Sequence, residues 1–149
     1  DILVNNAGIS IDQLLLRVSE EHLAATWATN VNGAMFCAKA CIRAMMKQRF
    51  GRIINLSSVV GEAGNPGQAL YSASKAALTA LDGALAREYR RRKIDVVDIR
   101  PPHTETGLSH RPIAGEPPRL PEGRSPEVVA DRIVSGLQAG EREIAASAF

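Results

Sequence analysis

Short runs of Ile, Leu and Val alternate along this chain with much longer stretches of helical periodicity, and that alternation leaves few folds open. Parallel strands need a crossover of a dozen residues or more, usually a helix, so a strand–helix–strand rhythm is the mark of a parallel sheet. Strands are predicted at residues 2–4, 53–56 and 94–99, with a short final one at 143–146. The first, Ile2-Leu3-Val4, has no polar position and is expected to be covered on both faces. Helices are predicted from about 19 to 51, 69 to 92 and 126 to 139. The first of them has Ser19 as its cap, Glu20 and Glu21 in its first turn, and an apolar stripe of Leu23, Trp27, Val31, Ala34, Ala38, Ile42 and Met45. The last opens on Ser125-Pro126-Glu127, with proline at the first helical position. The fold class is α/β, a doubly wound parallel sheet with flanking helices, in a single domain over 1–149.

Composition narrows the class further. With 45% apolar and 23% charged residues, and a net charge of only +2, the chain is neither a disordered polyelectrolyte nor a nucleic-acid arm. Aromatic residues at 4% leave few platforms for stacking bases. No apolar run approaches a membrane span and no signal peptide is visible, so a soluble cytoplasmic protein is expected. Cys37 and Cys41, one turn apart, read as small buried hydrophobes, and His22, His103 and His110 form no ligand cluster; no metal site is expected. Residues 103–125 are too rich in proline and glycine for a regular element and read as a mobile loop or lid. The alanines at 73, 76, 77, 80, 84 and 86 point to close helix packing or a subunit face.

Three features bear chemistry. Tyr71 and Lys75 stand four apart at the start of a helix, and therefore on one face. A phenol titrates near 10, so it is a poor acid or base at neutrality unless its anion is stabilised, which an ammonium one turn away would do. The spacing alone is common by chance. Context strengthens it, because Ser58 leaves the carboxyl end of a strand, the edge at which α/β sheets bind ligands. Asn30 is an anomaly of another kind, a poor helix former beside the apolar stripe, where a buried amide must find partners.

In combination these residues resemble the short-chain dehydrogenases/reductases. Asn5-Asn6-Ala7-Gly8, Asn30-Val31-Asn32-Gly33, Ser58, Tyr71-Ser72-Ala73-Ser74-Lys75 and the segment from Pro101 to Thr106 stand in that family's order and spacing, over residues 1 to about 108. Within the family, Leu14-Leu15-Leu16-Arg17, Met45-Met46-Lys47, the run from Gly51 to Gly61 and the loop from Gly64 to Gln68 are most similar to 3-oxoacyl-[acyl-carrier-protein] reductases. The resemblance implies a Rossmann-type fold and an oxidoreductase that reduces a carbonyl with NADP(H) or NAD(H), by hydride transfer. It assigns Tyr71 as general acid, Lys75 as the residue that lowers its pKa and holds the nicotinamide ribose, Ser58 as a donor to the substrate oxygen, and Asn30 as the anchor of a water relay. Asn5, Ala7, Gly8, Tyr71, Lys75, Pro101, Thr104 and Thr106 are the expected cofactor-binding residues.

The resemblance also sets expectations about substrate and partners. A 3-oxoacyl thioester is the expected substrate, small or borne by an acyl carrier protein, and a homodimer or homotetramer the expected assembly. The alternatives are another ketone or alcohol, or a non-catalytic fragment. Basic clusters at Lys47, Arg49 and Arg52 and at Arg90 to Lys93 read either as solvated helix ends or as a docking surface for an acidic carrier. Two departures stand out: Pro101-Pro102 replaces the family's Pro-Gly, and the sequence after Leu108 no longer resembles the carrier-protein reductases. The family's Gly-rich phosphate turn would precede Asp1, so an incomplete domain lacking roughly 70 to 80 residues is expected, its first strand left with an open edge.

Overall fold

The computed structural model describes residues 1–108, 111–116 and 118–149; the lid expectation at 109, 110 and 117 lies outside the described residues. Four strands form one sheet in the order β1 (Ile2–Asn5), β2 (Gly51–Leu56), β3 (Ile94–Ile99) and β4 (Glu143–Ile144), and every neighbouring pair is parallel. Leu3 lies opposite Ile53, Ile53 opposite Val96, and Ile99 opposite Ile144. The crossovers are α1 (Glu20–Trp27) and α2 (Gly33–Gln48), then α3 (Val60–Ala63) and α4 (Ala69–Tyr89), then an irregular segment and α5 (Pro126–Gln138).

The period-two alternation of β2 and β3 feeds two cores. Ile53, Ile94 and Val96 face Ala38, Ile42 and Met45 of α2, with Leu85 and Ala86 of α4 packed alongside. Ile54, Val97 and Ile99 face the other way, with Ile144, against Ile133 and Leu137 of α5. The sheet is therefore wound on both faces, as the rhythm of the sequence requires.

Three expectations change on inspection. The strand β1 is not covered on both sides: Leu3 packs into the first core, but Ile2 and Val4 are 63% and 54% exposed, because α5 packs over Ile54, Val97, Ile99 and Ile144 rather than over β1. The single long helix predicted from residue 19 is broken into α1 and α2 by a π-turn at Ala28–Asn32. A π-turn inserts a residue into the helical phase, so the stripe is buried from Val31 onward while Leu23 is exposed. Cys37 is exposed and Cys41 half-buried, since the face that carries Ala34, Ala38, Ile42 and Met45 leaves Cys37 on the outside. The glycine-rich loop after Ser58 contains the short helix α3. Ser125 caps α5 as expected, its side chain accepting from the Val128 amide. Among the described residues no helix is long and apolar enough to cross a membrane, and no group of side chains could hold a metal.

Candidate active site

The carboxyl ends of β1, β2 and β3 open into one cavity of about 590 Å³. Its floor is Gly8 after β1, Ser57 and Ser58 after β2, and Pro101 and Pro102 after β3; Tyr71 and Lys75 of α4 form one side. Thr104, Thr106, Leu108, Arg119, Leu120 and Pro121 of the irregular segment, with Val129 and Ile133 of α5, form the other. The parallel order of the strands creates this crevice, since all of them end at the same edge. Ser58 and Tyr71 come from different elements and meet here, the serine hydroxyl near enough to the phenol to favour its anion.

The electrostatics of the pair are set mainly by burial. The Tyr71 phenol is pushed up to about 12, first by loss of solvent, then by the charge of Asp12, while the Ser58 hydroxyl pulls the other way. Burial lowers the Lys75 ammonium to about 8. Its Nζ lies 5.6 Å from the centroid of the Tyr71 ring and donates to the Leu56 carbonyl at 2.7 Å. The lysine charge is thus directed past the ring to the end of β2 rather than onto the phenol oxygen, and burial governs the phenol.

Asn30 is fully committed to protein partners. On the π-turn, with 1% of its surface exposed, it accepts from the Ile9 amide at 2.8 Å and donates to the Ile9 carbonyl and to Ser74 Oγ, both at 3.0 Å. This pins the loop after β1 to the face of α4 that carries Lys75. Gly8 occupies the gap between them: a Cβ there would lie 3.3 Å from Lys75 Nζ and 3.6 Å from Asn30 Oδ1.

Of the residues expected at the site, Gly8, Ser58, Tyr71, Lys75, Pro101, Thr104 and Thr106 line the cavity, and Asn30 supports it from behind. Asn5 and Ala7 do not line it. Asn5 turns into the sheet, donating to Asn55 Oδ1 at 2.7 Å, and its neighbour Asn6 takes the place on the cavity wall; Ala7 faces outward. Sequence reasoning missed Ser10 and Gln68, which also line the cavity, and Asp12, which joins them. The only signal for these was a polar alternation in Ile9-Ser10-Ile11-Asp12 directly after a strand.

A family model described as short chain dehydrogenase matches residues 1–116. The chain is 46% identical over 128 residues to the 3-oxoacyl-[acyl-carrier-protein] reductase FabG of Escherichia coli, covering 83% of this chain and 52% of that protein. It superposes on a short-chain dehydrogenase from Sphingobium yanoikuyae in complex with NADPH with a TM-score of 0.89, at 26% identity, over 97% of this chain and 56% of that one. A bulky-bulky ketone specific alcohol dehydrogenase from Comamonas testosteroni gives a TM-score of 0.84 at 25% identity, over 97% and 54%. The chain spans about half the length of the curated relatives it matches. By the family match and by the fold that brings Ser58, Tyr71 and Lys75 to one crevice, the chain belongs to the short-chain dehydrogenase family.

Proposed function

We propose that this chain carries the catalytic half of an NAD(P)-dependent carbonyl reductase, with Tyr71 as general acid and a 3-oxoacyl thioester as substrate. The observation that carries the reading is the convergence of Ser58, Tyr71 and Lys75 on one cavity at the carboxyl ends of β2 and β3. The wall suits a nicotinamide dinucleotide: Gly8 leaves open, beside Lys75 and Asn30, a space that any side chain would fill. Gly8, Lys75, Pro101, Thr104 and Thr106, with Asn6, are the residues that would hold it. A bound dinucleotide supplies the hydride; the protein supplies placement and the proton.

Tyr71 then gives its proton to the carbonyl oxygen as negative charge develops there. A phenol held well above neutrality is fully protonated when substrate arrives. Ser58 donates to the same oxygen and holds it against the phenol. Lys75, with a pKa of about 8, stands beside the ring with its Nζ on the Leu56 carbonyl, a neighbouring acid that reaches the phenolate left behind only by turning away from that carbonyl. Asn30 keeps Lys75 and the loop after β1 in register through Ser74 and Ile9.

An acyl carrier protein fits as a partner through the exposed Lys47, Arg49 and Arg90 to Lys93; Arg52 is engaged with Asp95 and the Leu137 carbonyl instead. The same reading carries a cytoplasmic location and a homodimer or homotetramer. A second substrate class, a bulky ketone, is favoured by the apolar wall of Leu120, Pro121, Val129 and Ile133. NADPH oxidation by the natural-length protein, followed at 340 nm with 3-oxoacyl thioesters and bulky aryl ketones side by side, tests both. Turnover with the thioesters at a kcat/KM at least about tenfold higher is expected; exclusive turnover of the ketones replaces the substrate, and none with either class refutes the reading.

A further inference from the structure

The stretch Ser10 to Asp12 of the loop leaving β1 is buried although two of its three residues are polar: Ser10 is 5% exposed, Ile11 1% and Asp12 3%. Asp12 uses its carboxylate on one side. Oδ1 accepts from Ser10 Oγ at 2.7 Å and from Gln68 Nε2 at 2.8 Å, while Oδ2 is buried with no hydrogen-bond partner among the described residues. Gln68 is the residue just before α4; its carbonyl accepts from the Ser72 amide at 2.8 Å, so it closes the turn that contains Tyr71. Its own Oε1 accepts from Asn65 Nδ2 at 2.9 Å, which leaves its amide group without freedom to rotate.

The backbone of Asp12 holds a third segment. Its amide donates to the Ala114 carbonyl at 3.0 Å, and the Ile113 amide donates to the Ser10 carbonyl at 3.2 Å. Gly115 bridges to Asp12 at φ +88°, where an added Cβ would lie 1.8 Å from the Asp12 carbonyl oxygen, so only glycine permits the contact. Ala114 and Gly115 sit between Leu108 and Arg119, which line the cavity. The loop after β1, the first turn of α4 and the irregular outer wall therefore meet at one residue. Burying a carboxylate is costly unless it is well bonded, and here its bonds run to the segment that bears the acid. The phenol of Tyr71 lies close enough to feel that charge.

We propose that Asp12 is a positioning residue for Tyr71, fixing through Gln68 the first turn of α4 and through its backbone the outer wall of the cavity. The proposal rests on the carbonyl-reduction reading above. The acceptor geometry is what matters, so an amide of the same shape replaces it and a methyl group does not. Misplacing an acid by about 1 Å costs up to roughly a hundredfold in rate.

The test uses the natural-length protein, with kcat expressed per NADPH-binding site and the solvent deuterium isotope effect measured on wild type, Asp12→Ala, Asp12→Asn, Gln68→Ala and the Asp12→Ala/Gln68→Ala double variant. Asp12→Ala is expected to lower kcat by about tenfold or more and to raise the isotope effect, with the KM for NADPH unchanged. Asp12→Asn is expected to return kcat to within about threefold of wild type, and Gln68→Ala to match Asp12→Ala with the double variant no worse than either single one. Should Asp12→Ala fail to bind NADPH, Gln68→Ala alone carries the same expectation. An unchanged kcat and isotope effect in Gln68→Ala, or an Asn variant as poor as the Ala variant, overturns the proposal. If wild type reduces no carbonyl substrate at all, it is the underlying functional reading that fails.

Discussion

At the residue scale, burial dominates the chemistry of the pair that the sequence puts one turn apart. Tyr71 and Lys75 were legible because helical geometry alone places positions four apart on one face, and Asn30 because an amide beside an apolar stripe has to be bonded. The direction of the electrostatics was not legible, since it depends on solvent loss and on where the Lys75 Nζ points, toward Leu56 rather than the phenol oxygen. Asp12 and Gln68 were hidden for a similar reason: they meet across 56 positions of sequence. Lys75 offers a direct check. Its folded pKa of about 8 is below the ordinary 10.5, so between those values the unfolded chain binds more protons and stability rises with pH. Denaturant unfolding of wild type and Lys75→Met at pH 8 and pH 10.5 should show wild type gaining on the variant at the higher pH. A difference that stays constant would mean that the ammonium is not desolvated.

At the element scale, the sheet and its α2/α4 cover are joined by a polar seam. Asn5 of β1 donates to Asn55 of β2, and Asn55 Nδ2 donates to Asp82 Oδ1 of α4. Burial pushes the Asp82 carboxyl up to about 7, the Asn55 bond opposes this, and the charge of Asp98 on β3 adds to it. The sign is opposite to that of Lys75. With a folded pKa above the ordinary 3.8, Asp82 favours the folded state most at low pH, and that contribution is lost as pH rises from about 4 to 7. Asp82→Asn, which keeps the shape and cannot ionise, should therefore become more stable relative to wild type between pH 4.5 and pH 7.5, measured by urea unfolding; relative stability that falls over this range contradicts the assignment. Element boundaries were mostly legible, from Ser19, Ser125 and the apolar runs. The π-turn was not, because nothing local in Ala28–Asn32 announces it; it coincides with the long-range bonds of Asn30 to Ile9 and Ser74.

At the scale of the molecule, the alternation of strands and helices was sufficient for the parallel, doubly covered sheet, and the edge where its strands end is where the cavity lies. The outer wall was beyond reach. Residues 103–125 have no periodicity to read; among the described ones, Thr104 bridges to Arg124 at the segment's own far end and Gly115 bridges to Asp12 in the loop after β1, pairings that no local pattern announces. The exposed Ile2 and Val4 show the same limit, since an apolar run reveals that a strand wants cover and not which element supplies it.

All three scales converge on the hydroxyl of Tyr71, aimed into the cavity beside Ser58. Single-turnover reduction of a 3-oxoacyl thioester by the natural-length protein, preloaded with NADPH and followed at 340 nm, compares wild type with Tyr71→Phe. The rate of the variant should fall by about 10²- to 10⁴-fold while its NADPH affinity and circular dichroism stay unchanged. A Tyr71→Phe protein that turns over at the wild-type rate would contradict the assignment of the acid and the reading built upon it.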